Sequence, residues 1–205
     1  MNELFAAIPK VLLPLAADVE RLVLRYAGFV EVDGTSYYNQ FLLPPCVADY
    51  FGLRIGKKNY RWNTGPMGWS PMVFIGHSGL EVLLYDPKNN ELSVETLGYI
   101  DNGYFFADDK KGSDDAVKRF FQRTHLVGGT FKITKEYSDK GDVLGRYVDC
   151  SAKTVSLQAK FVDKLVLLQD NLKTVWKELT HRELRRMSYP ATSSTPDAHP
   201  MGLYG

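Results

Sequence analysis

Residues 72–107 read MVFIGHSGLEVLLYDPKNNELSVETLGYIDNGYFFA, and the parsing of this stretch decides the fold. Its apolar runs are short. They are broken by His77-Ser78-Gly79, by Pro87-Lys88-Asn89-Asn90 and by Asp101-Asn102-Gly103. β-branched and aromatic runs separated by such turn residues mark strands joined by tight turns. The pattern predicts strands near 72–76, 80–86, 91–97 and 104–107 in an antiparallel meander, with helices packed against it. The expected class is α+β.

Outward from this stretch the punctuation changes. Upstream, Leu15, Val19, Leu22, Val23 and Tyr26 recur at helical spacing between Pro14 and Gly28, which predicts a helix over 15–27. Asp33-Gly34 lies between extended-looking segments and reads as a hairpin turn. CVADYFG predicts a short helix closed by Gly52, and the breakers Gly56, Gly65, Pro66 and Gly68 make 56–71 a long loop. Downstream, DDAVKRFFQR predicts a helix over 114–123, capped by Ser113 or Asp114. TFKITKEY and VLGRYVD read as strands around a turn at 138–142. A long helix is expected from about Lys153 to Met187, and the Ser/Thr/Pro-rich stretch 188–205 reads as an extended or disordered tail. The expected domains are therefore 1–150, the helix 151–187 and the tail 188–205.

Composition narrows the function classes. The chain has 205 residues, 25 Lys+Arg against 24 Asp+Glu, and a formal net charge of +1. So even a balance argues against coating nucleic acid or acidic membrane by bulk charge. Two cysteines, Cys46 and Cys150, are too few for a disulfide framework. No apolar run approaches the ~18 residues of a membrane span, and the N-terminus lacks the basic region of a signal peptide. The expectation is an intracellular, cytoplasmic protein.

No catalytic set stands out. Gly76-His77-Ser78-Gly79 approaches a nucleophile elbow, but position 80 is Leu and a strand is expected to follow, so a hairpin turn is the better reading. His77, His125, His181 and His199 are scattered, which leaves no zinc spacing. Asp108-Asp109 and Asp114-Asp115 could serve acid–base or Mg²⁺ chemistry, but solubilising caps explain them more simply. No cofactor or metal is expected. Lys57, Lys58, Tyr60, Arg61 and Trp62 form a basic-aromatic cluster whose cations could hold phosphates while its rings stack on bases, but a loop whose Trp62 and Trp69 bury under the sheet is the better reading. In the last helix, Phe161, Leu165, Leu168, Leu172, Val175 and Leu179 form a heptad seam. That seam either lies on its own domain or assembles with a second copy or a partner helix.

Over residues 41–121 the order of motifs resembles the SMI1/KNR4 (SUKH) superfamily. The residues that carry it are Leu43-Pro44, Asp49-Tyr50-Phe51-Gly52, Trp69-Ser70-Pro71, Ile75-Gly76, Ser78-Gly79, Leu83-Leu84-Tyr85-Asp86, Ala107-Asp108-Asp109 and Phe120-Phe121. The resemblance implies a non-enzymatic binding protein of immunity, antagonist or regulatory type. Its partner would be a toxin, a host-defence protein or a signalling protein, inside a host cell if the protein is viral. The expected partner-binding residues are Tyr37, Tyr38, Lys57, Lys58, Tyr60, Arg61, Trp62 and Trp69; the seam is the candidate assembly surface, with packing on its own domain the favoured alternative. The alternative is a nucleic-acid-associated protein using residues 57–62 and the Arg182, Arg185, Arg186 cluster.

Overall fold

A computed structural model describes residues 10–91 and 93–178, with side chains as far as Asp170. The chain divides after Gln158 into two compact units. The first unit is α+β. Its centre is a four-stranded antiparallel sheet of β1 (Gly28–Gly34), β4 (Val94–Tyr99), β5 (Asn102–Ala107) and β6 (Phe131–Ser138), in the order β4-β5-β1-β6. Two smaller sheets accompany it: the hairpin β2 (Gly52–Ile55) and β3 (Lys58–Arg61), and a sheet of β7 (Lys140–Val143), β8 (Arg146–Asp149) and β9 (Thr154–Leu157).

Alternation along the strands gives the central sheet two apolar faces. Val30, Val32, Phe105 and Ala107 pack against α3 (Ser70–Leu84) and α5 (Lys110–Leu126) through Leu80, Leu84, Val117 and Phe120. Phe29, Leu97, Tyr104 and Phe106 pack against α1 (Ala16–Arg25) and against Val143, Val148 and Cys150 of the three-stranded sheet. Both faces are therefore covered, and the hydrophobic contribution comes from both.

The meander is half correct. Residues 94–107 form the β4–β5 hairpin, but residues 70–84 form α3 in place of two strands. Met72, Gly76, Leu80 and Leu84 are buried at four-residue intervals, which is the helical period. The stretch is so uniformly apolar that alternation could not discriminate, and Ser70-Pro71 at the first helical turn is the start signal. Gly76 and Gly79 are not turn residues. A Cβ on Gly76 would come within 3.1 Å of the Tyr37 and Tyr38 rings, and one on Gly79 within 3.2 Å of Phe41. The glycines let the helix lie close against an aromatic segment.

Other boundaries also move. Asp33-Gly34 ends β1 and leads into a 3-10 turn, Tyr37–Gln40, with no hairpin. The helix over 45–52 is one turn, α2 (Pro45–Ala48), and the expected loop 56–71 contains β3. α5 begins before Ser113 and Asp114, and its cap is Asp109, whose Oδ1 accepts the Gly112 N–H at 2.7 Å. The turn at 138–142 is replaced by a bend at Leu144-Gly145 between β7 and β8. Residues 154–157 form β9 before the last helix, α6 (Ala159–Glu178). The short helix α4 (Lys88–Glu91) fills the expected 87–90 turn.

α3 and α5 are tied by ions. Asp86 receives Arg119 Nε at 2.8 Å and Arg123 Nη1 at 2.6 Å, and Arg123 Nε also donates to the Leu83 carbonyl at 3.0 Å. Burial alone would raise the Asp86 carboxyl. The two guanidinium groups and the Lys88 N–H outweigh it and pull the pKa down to about 2. The second unit is described by α6 alone, whose Phe161, Val162, Leu165, Val166, Leu167 and Leu168 are exposed. No described helix is long and apolar enough to cross a membrane.

Candidate functional site: a carboxylate pair at the end of the central sheet

β1 and β5 are adjacent antiparallel strands, and their register pairs Asp33 with Asn102. Asp33 therefore stands beside the β4–β5 turn, which carries Asp101. Two backbone contacts pin that turn. The Gly34 N–H donates to the Asp101 carbonyl at 2.9 Å, and the Ile100 N–H donates to His77 Nδ1 of α3 at 3.3 Å. Ile100 sits at φ 57°. This is the first central position of a two-residue hairpin turn, where glycine normally supplies a positive φ. A β-branched residue there is strained by about 1–3 kcal/mol. The strain is held by the strands on either side and by buried His77.

The two carboxyl groups feel each other. Burial raises the Asp101 carboxyl, and the Asp33 carboxylate raises it further, against the backbone hydrogen bond that lowers it. On the opposite side Lys132 of β6 faces Asp33 in register, with Nζ 3.3 Å from Oδ2. A cavity of about 310 Å³ opens beside the pair and is bounded also by Ser36, Tyr38, Asn39 and Met67. Burial and the Asp101 charge both raise the Tyr38 hydroxyl, which keeps it a neutral donor. Gly34 is required at the mouth, because a Cβ would lie 2.5 Å from the Tyr37 ring.

Two neighbouring carboxylates are hard oxygen donors. They suit Mg²⁺ or Mn²⁺, which take one or two protein carboxylates and complete their coordination with water and substrate phosphate. Among the described residues no three His, Cys, Asp or Glu side chains meet. Asp33 and Asp101 therefore offer two such donors, fewer than a closed structural cage needs.

The residues singled out from sequence fall in different places. Lys57, Lys58, Tyr60, Arg61 and Trp62 are exposed together on the β2–β3 hairpin and just beyond it. Tyr37 is 5% exposed and donates its hydroxyl to the Gly76 carbonyl at 2.8 Å, so it belongs to the core, with its ring in the lining of the carboxylate cavity. Trp69 is buried against Phe51, whereas Tyr38 is half-buried in the wall of the carboxylate cavity. Ser78 lies inside α3, half-buried, which removes the elbow geometry. Asp109 caps α5 and Asp114 pairs with Lys110, as expected for structural acids. Of the seam, Phe161, Leu165 and Leu168 are exposed on α6. The side chains of Leu172 and Val175, together with Leu179 and the Arg182, Arg185, Arg186 cluster, lie outside the described residues.

Asp33 and Asp101 were not among the residues singled out. Each was read as a turn residue, and each does end or join a strand. The available signal was that two apolar strands, FVEV and TLGYI, both run straight into an aspartate. Only the pairing of β1 with β5 makes them one site.

No family model matches the chain, and no curated protein matches it. Solved structures do. The foamy viral protease-reverse transcriptase in complex with double-stranded DNA is similar to 88% of this chain, with a TM-score of 0.63 and 12% sequence identity. This chain spans 30% of that protein's chain. At such identity the likeness is one of fold.

Proposed function

We propose that this chain is the catalytic core of a template-directed nucleic-acid polymerase, with Asp33 and Asp101 as its cation-holding carboxylates. One observation carries the reading: two aspartates from different parts of the sequence meet at the end of adjacent strands, beside a cavity, on a fold similar to that of a reverse transcriptase bound to DNA. A bound divalent cation would supply charge stabilisation to an in-line phosphoryl displacement. The chain's own residues then have defined tasks. Asp33 and Asp101 hold the cation through hard oxygens. The Gly34–Asp101 and His77–Ile100 contacts keep Asp101 from drifting, since small misplacements of reacting groups are costly. Tyr38, Asn39 and Met67 form the wall against which the sugar and base of an incoming nucleotide would rest. Lys132 balances part of the negative charge when no cation is bound.

The test combines Mn²⁺ titration, followed by the loss of free-ion electron paramagnetic resonance signal, with primer extension on a nucleic-acid template. The full chain should bind Mn²⁺ and extend the primer, and Asp33→Asn or Asp101→Asn should abolish both. Full-chain protein that neither binds Mn²⁺ nor extends a primer would return the reading to a non-catalytic binding protein. Asp33→Asn protein with unchanged Mn²⁺ affinity would do the same.

A further inference from the structure

The β2–β3 hairpin is the most exposed regular element of the first unit: all eight strand residues are exposed. It contributes almost nothing to either core cluster, so its composition is not explained by folding. Residues 52–62, GLRIGKKNYRW, hold Arg54, Lys57, Lys58 and Arg61 and no acid, in a chain whose net charge is only +1. The register pairs Leu53 with Tyr60 and Ile55 with Lys58. Alternation therefore sets Leu53, Ile55, Lys58 and Tyr60 on one face, and Trp62 continues that face just past the strand. Tyr60 is 48% exposed and Trp62 is 42% exposed. Arg61, on the opposite face, is tied to Asp49 at 2.8 Å and to Asn63 at 3.1 Å. Lys57 and Lys58 are left at and beside the turn, Lys58 on the face that carries Tyr60. Two exposed rings spaced two residues apart, on a strand flanked by unbalanced cations, match what an unpaired nucleic-acid strand offers: bases that stack and phosphates that need counter-charge.

We propose that this face of the β2–β3 hairpin, together with its turn, binds a single-stranded nucleic-acid segment, with Tyr60 and Trp62 stacking on bases and Lys57 and Lys58 contacting phosphates. The inference goes beyond the polymerase reading, because it assigns a second surface remote in sequence from both aspartates and names an unpaired strand as its occupant. Lys57 and Lys58, in a stretch 52–62 that holds no acid, favour a polyanion as that occupant.

Fluorescence anisotropy of a labelled mixed-sequence 16-nucleotide single strand tests it on the full chain. Wild type should bind, and prefer the single strand to the blunt duplex of the same sequence. Tyr60→Ala with Trp62→Ala should weaken binding at least tenfold. Lys57→Gln with Lys58→Gln should reduce the slope of log affinity against log salt by about 1.4, at ~0.7 per phosphate contact on a single strand. The substituted side chains are exposed, so circular dichroism of both variants should match wild type. The titration is run without divalent cation, whereas the carboxylate reading is read by Mn²⁺ affinity and primer extension, so failure of that reading and failure of this one are separable. The proposal is overturned by a wild type that does not bind the oligonucleotide at low salt. It is equally overturned by ring variants that bind as wild type does, an outcome that would leave the hairpin to recognise protein.

Discussion

The acidic end of the central sheet and the basic β2–β3 hairpin are opposite solutions to holding charge. Asp33 and Asp101 are half-buried like charges, and the fold keeps them together at a cost: burial and mutual repulsion raise the Asp101 carboxyl, and Ile100 is held at φ 57°. Every neighbour of the pair is restrained by backbone, through β1, β5 and the contact from His77. The cations of the hairpin are solvated and make few contacts beyond their own strands. Groups that must sit at fixed distances from reacting atoms need a rigid scaffold, whereas groups that follow a flexible polyanion work better exposed. The two regions therefore differ in what mutation should do. At the acidic end a change should separate function from stability, and on the hairpin stability should hardly notice.

The sharpest way to break that contrast is Asp33→Asn. Primer extension should fall by at least 100-fold, while the melting temperature stays the same or rises slightly, since a repulsive partner of Asp101 is removed. A large loss of stability instead would make Asp33 a structural residue through Lys132.

Next in size is the brace beneath the sheet. Asp86→Ala leaves Arg119 and Arg123 without their shared carboxylate and should cost about 2–3 kcal/mol in urea unfolding. The pH dependence has a definite sign. Asp86 binds its proton less tightly folded than unfolded, so its contribution is fully present above the unfolded value near ~3.9. It is lost as pH falls through about 2. Wild type should thus lose more stability than Asp86→Ala on acidification from about pH 4 to pH 2.

His77→Phe keeps a ring, slightly larger, in the buried site and removes the acceptor for the Ile100 N–H, and should cost about 1 kcal/mol or somewhat more. Hydrogen exchange at Ile100 and Asp101 should quicken, and extension should drop further than stability alone explains. Unchanged exchange would remove His77 from the positioning of the turn. The smallest effect is expected on the hairpin: Trp62→Ala should change unfolding free energy by no more than about 0.5 kcal/mol. A larger loss would tie Trp62 to the core.

Helices and strands with a clean period were legible. α1 carries Val19, Leu22 and Val23 on one face, and β5 reads as a strand between Asn102-Gly103 and the acids that open α5. α3 was not legible, because its run of apolar residues satisfies a period of two and of 3.6 equally well over short windows. Its glycines looked like turn residues when they serve close packing against Tyr37, Tyr38 and Phe41. The basic-aromatic hairpin was visible as a cluster because its members are contiguous. The carboxylate pair was invisible for the converse reason: 68 positions separate Asp33 from Asp101, and each alone is an ordinary turn aspartate.

By itself the sequence determined the α+β class, the apolar face of α1, the strand at 104–107 and the excess of cations at 57–61, because each follows from spacing or composition within a few residues. Only the tertiary structure decided that residues 70–84 are a helix, that Tyr37 is core while Trp62 stays exposed, and that Asp33 and Asp101 share one end of the sheet. Those outcomes depend on which strand pairs with which and on what fills the space against a helix. Strand pairing and core filling are contests among distant segments, and no local window contains the competitors.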